Sequence, residues 1–284
     1  MWGSQRGEAP RIRLEVIVSL SLSRRTFMWL APLVTVAPTA AARQAPLAGP
    51  DGKPLSPNFP SHDPDVAREM VSVSHGNAVR VRELLASWPT LANAAWDWGY
   101  GDWESALGAA SHVGNRDIAG VLLAAGARPT IFSAAMLGQL EVVKGFVAAA
   151  PGIQKTRGPH GLTLLSHARA GGPPAAEVLK YLEGLGDADM RYTNEPIADG
   201  DRAALVGTYA FGPGTTERFA VASGERGLSI ERSGRVARGL LHQGGRVFHP
   251  VGADKVRIRF TAESPASTLT IEDGPLVVTA RRIG

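Results

Sequence analysis

The chain holds 284 residues, 44% of them hydrophobic and 20% charged, which excludes a disordered or collagen-like polymer and leaves ample apolar surface for a core. It contains no cysteine, so disulfides, thiolate metal sites, iron–sulfur clusters and a cysteine nucleophile are all excluded. The net charge of +4 is unevenly spread: residues 1–42 carry five arginines and two glutamates, residues 43–199 thirteen basic and sixteen acidic groups, and residues 200–284 twelve and eight. That distribution predicts no contiguous basic surface, and nucleic acid is not an expected partner.

At the N-terminus, Arg24 and Arg25 stand before an uncharged run, Thr26 to Ala42, that ends in small residues. A positive start, a short apolar stretch and a small-residue end describe a cleavable export signal. Pro32, Pro38 and the shortness of the run argue against a membrane span. Ser23, Arg24, Arg25 and Phe27 resemble the twin-arginine export signal, over about the first 45 residues. The resemblance implies delivery of the folded chain to the bacterial periplasm by the export machinery. Residues 43–62 follow as a linker, with Pro46, Pro50, Pro54, Pro57 and Pro60 leaving no room for a helix. Asp63-Pro64 then reads as a helix start, an Asp cap with Pro in the first turn.

Between residues 63 and 190 a repeated form is visible. Gly76, Gly114, Gly138 and Gly172 each precede an amphipathic helix, and Ala-rich helices precede the last three of them, as in Ala106-Leu107-Gly108-Ala109-Ala110. The unit resembles the ankyrin repeat: Ala106-Leu107 and Ala109-Ala110 occupy the places of that family's Pro-Leu and Ala-Ala pairs, Gly126-Ala127 follows Leu122-Leu123 as its ending does, and Thr163 and Leu165 match its opening. Gly108 stands where the family has histidine, one spacing is short, and the first helix pair is degenerate. The resemblance implies a stacked solenoid that binds proteins and has no catalytic machinery of its own.

The longest spacing inserts a stretch from Leu91 to Trp103, and four of the six tryptophans lie between 88 and 103. In such an array this stretch is expected to be a projecting turn. Trp96, Trp98, Tyr100 and Trp103 are the candidate partner site, because exposed Trp and Tyr dominate binding hot spots; the alternative is that the rings seal the first repeat as a hydrophobic cap.

A short linker, residues 191–201, precedes a segment in which the hydrophobic period changes to two. Val256, Ile258 and Phe260 alternate with basic residues, and similar runs cover 205–211, 217–222, 228–232, 236–241, 246–249, 268–272 and 276–281. Eight short strands with Gly-rich turns over residues 202–284 predict an antiparallel meander curled into a small barrel or sandwich. The order Gly207-Thr208-Tyr209, Leu228, Phe248-His249-Pro250, Ile258-Arg259-Phe260 and Arg281 resembles the lipocalin-like domain appended to penicillin-recognising serine hydrolases, which implies an accessory or oligomerisation module. No Ser-x-x-Lys motif accompanies it. Arg232, Arg235, Arg238, Arg257 and Arg259 are expected on a solvated outer face.

Chemistry is hard to find by motif. No nucleophile elbow, Walker loop, dinucleotide fingerprint or His-Glu-x-x-His run is present. The seven histidines show no metal-ligand spacing, and His75 and His112, just ahead of equivalent repeat glycines, suggest a structural role at helix corners. The sequence therefore predicts a multi-domain α plus β chain, a short ankyrin-type α-solenoid followed by a small antiparallel β-barrel. The expected function is that of an exported, non-catalytic interaction protein with an unidentified protein partner, no catalytic residues, no cofactor and no metal. Two other readings stay open: binding of a small apolar ligand or lipid through the barrel, and an enzyme site at the junction near Tyr192–Arg202.

Overall fold

Asp63 starts the helical part as its side chain dictates. Its Oδ1 accepts from the Asp65 amide at 2.9 Å and Pro64 fills the first turn, so α1 spans Pro64–Val73. The computed structural model describes residues 55–284, which close into one compact unit. Ser23, Arg24, Arg25 and Phe27, with most of the Pro/Gly-rich linker, lie outside the described residues.

Helices come in pairs. After α1 comes α2 (Ala78–Ser87), capped by Asn77; then α3 (Ala106–His112) and α4 (Arg116–Ala124), α5 (Ile131–Leu137) and α6 (Leu140–Ala149), and α7 (Leu164–Ala170) and α8 (Ala176–Leu185). The first helices pack in the order α1, α3, α5, α7, with α2 on α4 and α6 on α8 outside them. Small side chains make this close approach possible: Ala106, Ala109, Ala110, Ala134, Ala135 and Ala168 are all buried. The corner glycines have a specific reason to be glycine. Gly114 and Gly138 sit at φ +75° and +77°, and a Cβ on either would stand 2.1 Å from the carbonyl oxygen of Ala170 or Pro174. The first pair, α1 and α2, is two ten-residue helices.

The inserted stretch is not an open turn. It folds into a hairpin of β1 (Ala95–Asp97) and β2 (Trp103–Ser105), with Trp96 opposite Glu104. Asp97 Oδ1 accepts from the amides of Gly99 and Gly101 at 2.8 and 3.2 Å, and Gly99, Tyr100 and Gly101 all have positive φ, so the tip is held as a tight, twisted loop. Ser105 ends the hairpin and caps α3, accepting from the Gly108 amide at 3.0 Å.

After α9 (Asp199–Leu205) the chain forms eight strands: β3 (Gly207–Ala210), β4 (Arg218–Gly224), β5 (Gly227–Arg232), β6 (Arg238–His242), β7 (Val247–Pro250), β8 (Arg257–Phe260), β9 (Thr268–Asp273) and β10 (Leu276–Arg282). Each pairs antiparallel with its neighbours in sequence, and β10 pairs with β3 to close the barrel. The alternation read from the sequence holds: Phe219 and Val221, Leu228 and Ile230, Ile258 and Phe260, and Leu269 and Ile271 point inward and fill the interior.

The helical part and the barrel are joined by polar contacts. Asp102, at the loop end of the hairpin just before β2, pairs with the Arg238 guanidinium of β6, which also donates to the Val251 carbonyl at 2.6 Å. Gly252 lies so close to Asp102 that a Cβ there would meet its carboxylate at 2.6 Å. The His242 amide donates to Asn194 Oδ1 at 2.9 Å. Arg238 therefore departs from the expected outer face: it is buried, because the carboxylate that neutralises it comes from another part of the chain. Among the described residues no helix is long and apolar enough to cross a membrane.

Candidate metal centre

Three histidines and one glutamate converge where the hairpin meets the helices. His75 follows the C-terminus of α1, His112 is the last residue of α3, and Glu104 lies on β2. His160 lies in the loop before α7, at φ +59° and ψ +17°. The stacking of helix pairs explains the first two: α1 packs on α3, so residues at equivalent corners meet, and the His75 and His112 ring centroids are 4.9 Å apart. The ligand-type atoms of all four residues lie within 4.8 Å of one another.

The finer distances are those of a coordination shell. His112 Nε2 stands 2.9 Å from Glu104 Oε1 and 3.1 Å from His75 Nε2; His160 Nε2 stands 3.4 Å from Glu104 Oε1, and His75 Nε2 3.5 Å from Glu104 Oε2. A tetrahedral ion with bonds of about 2.0–2.1 Å places its ligand atoms about 3.3 Å apart. Glu104 Oε1 is buried and forms no aligned hydrogen bond despite its two histidine neighbours. The His112 and His75 Nε2 atoms are placed to share a hydrogen bond, whereas Glu104 Oε1 faces the imidazoles without one.

The outward nitrogens are positioned as a metal site requires. His75 Nδ1 lies 3.0 Å from the Ser72 carbonyl, and His160 Nδ1 lies 2.7 Å from Asp102 Oδ2. A carbonyl or carboxylate can only accept, so in the neutral rings both Nδ1 atoms carry the hydrogen and both Nε2 lone pairs face inward. Asp102 also accepts from the His160 amide at 2.8 Å, fixing backbone and ring together. Trp98 Nε1 donates to Glu104 Oε2 at 2.8 Å and sets the plane of the carboxylate.

The same contacts shift proton equilibria. Burial works against a charge on Glu104, but the His112 and His160 imidazoles close to its carboxylate outweigh it and bring its pKa down to about 2. Burial likewise opposes charge on His160, yet its bonds to Asp102 and Glu104 raise its pKa to about 9. Without an ion the carboxylates hold a proton on His160, so a divalent cation binding there would displace that proton and binding would strengthen as pH rises.

The aromatic residues singled out in the sequence divide. Trp96, Trp98 and Tyr100 are half-buried, and all three line a hollow of about 470 Å³ between the hairpin and the barrel mouth. Trp103 points away and is 64% exposed. Motif reading missed the metal-type cluster altogether, because its members come from four segments with no common spacing. One signal was present: His75 and His112 lie 37 residues apart, each just ahead of a repeat glycine. At the junction near Tyr192–Arg202, His242 places both ring nitrogens against backbone carbonyls of Glu195, Pro196 and Gly245, and no nucleophile is bonded to it among the described residues.

No protein-family model matches the chain, and no curated protein matches it.

Proposed function

We propose that the protein is a zinc-binding, non-catalytic scaffold in which an ankyrin-type helical array and a lipocalin-like barrel are clamped together beside the ion. The observation that carries the reading is the convergence of three histidine Nε2 atoms and a buried carboxylate, with separations of 2.9 to 3.5 Å close to tetrahedral edge lengths. Three imidazoles and one carboxylate suit zinc, and four protein ligands leave no open position, which favours a structural over a catalytic ion. The four helix pairs with glycine corners support the ankyrin-type reading, and the filled eight-stranded barrel supports an accessory role for the β-part. The twin-arginine-like run at Ser23–Phe27 supports export to the periplasm, and exposed Trp103 is what remains of the proposed contact surface for a protein partner.

Zinc titration of the tag-free full chain by calorimetry, with native mass spectrometry for stoichiometry, tests this. One zinc per chain is expected, lost in both Glu104→Gln and His112→Ala variants that keep the native circular dichroism spectrum. Equal zinc binding by the native chain and both variants would overturn it.

A further inference from the structure

We propose that the hollow between the hairpin and the barrel mouth is a binding site for a small organic anion with an apolar, ring-sized body. The hollow adjoins the metal centre through Trp98 but is lined by none of its four ligand residues. The hollow, about 470 Å³, falls within the range of small-molecule sites. Trp96, Trp98 and Tyr100 form one wall; Phe211, Phe219 and Ile230 of the barrel form the other. Phe211 and Phe219 are already stacked at 4.6 Å, offering a flat apolar floor. Among the described residues only two non-glycines have positive φ, His160 and Tyr100, and Tyr100 uses that conformation to place its ring against the barrel core. Such strain persists where the surroundings impose it and gathers at binding sites.

Charge selects the head group. Arg232, Arg235 and Arg238 line the hollow with Asp97 and Asp273; Arg232 is paired with Glu217 and Arg238 with Asp102, which leaves Arg235, among the described lining residues, to meet a ligand's charge. Arg238 is buried, its bonds to Asp102 and Val251 both use Nη2, and its Nε–H has no acceptor. That Nε is closed off from solvent, so the anionic group of a ligand falls to Arg235 at the rim. Arg235 lies exposed at the rim beside Val236, which is 60% exposed, so a ligand reaches the basic edge from solvent.

Two fluorescent probes of similar shape separate charge from apolarity: 8-anilinonaphthalene-1-sulfonate, which carries an anionic group, and neutral N-phenyl-1-naphthylamine. With the full chain, the sulfonate is expected to saturate at one equivalent, with energy transfer from tryptophan. Arg235→Glu should weaken the sulfonate at least tenfold while moving the neutral probe less than twofold, and Arg235→Lys should restore most of the loss. Trp96→Ala should weaken both probes. Thermal melts establish that each variant is folded. Sulfonate binding that is unchanged by Arg235→Glu, or that never saturates near one equivalent, would overturn the proposal.

Discussion

Trp98 donates its indole N–H to Glu104, and that bond decides which carboxylate oxygen faces the histidines. Trp98→Phe keeps a ring but removes the donor, so zinc affinity should fall about 10–100-fold, as is usual when a ligand's supporting partner is lost. Competition with a chromophoric chelator measures it, and an unchanged affinity would show that Glu104 is not oriented this way. A second residue, His167, is fully buried with Nε2 unpartnered, its Nδ1 lying 2.9 Å from the Thr163 carbonyl. Burial is the main reason its pKa falls to about 4, from an ordinary value of 6.5. The sign follows from which state takes the proton. Below about pH 6.5 the unfolded chain binds it and the native chain does not, so stability drops as pH falls toward 4. Melting temperatures between pH 7 and 4 should show this drop, smaller in His167→Leu; parallel curves would contradict it. None of this was legible in the sequence, where His167 reads as one more helix residue and Trp98 as a candidate contact. Side-chain partners that lie far apart in the chain leave no periodic trace.

At the scale of elements the sequence says much more. All eight barrel strands were readable from alternation and glycine punctuation, because one face of each is buried and the other wet. The helix pairs were readable from the corner glycines, and the structure supplies a test of why those glycines are there. Gly114→Ala meets both a left-handed φ of +75° and a backbone oxygen 2.1 Å from the new Cβ. Gly126→Ala meets a φ of +88° with nothing within 4 Å. Conformational strain alone costs about 1 kcal/mol, and the added clash about 1–3 kcal/mol more. Urea denaturation should therefore rank Gly114→Ala well below Gly126→Ala; equal losses would mean the corner is not tightly abutted. The hairpin was less legible. Its tryptophans suggested an exposed turn or a cap, whereas β1 and β2 pair into a hairpin whose Trp96 and Trp98 line the hollow at the barrel mouth.

Across the whole molecule, one polar thread runs from the metal-type cluster to the barrel: Glu104 to His160, His160 to Asp102, Asp102 to Arg238. Asp102 is buried, and although burial opposes its charge, the bonds from His160 and the nearby Arg238 guanidinium hold its pKa below the usual carboxylate value. Arg238→Met leaves that carboxylate short of its guanidinium, a loss of about 3–5 kcal/mol for a buried pair. Calorimetry should then show the native single transition replaced by separate melting of the helical part and the barrel, while a single, unshifted transition would contradict the thread's role. The sequence placed Arg238 on a solvated face because a strand's alternation does not announce a partner some 136 residues away. The central claim is the metal centre, and X-ray absorption at the zinc edge on the tag-free, zinc-loaded full chain addresses it most directly. The account predicts four nitrogen and oxygen neighbours at about 2.0–2.1 Å with the outer-shell signature of three imidazoles. A shell of six or more oxygens without imidazole scattering, or an unchanged spectrum in His112→Ala, would contradict it.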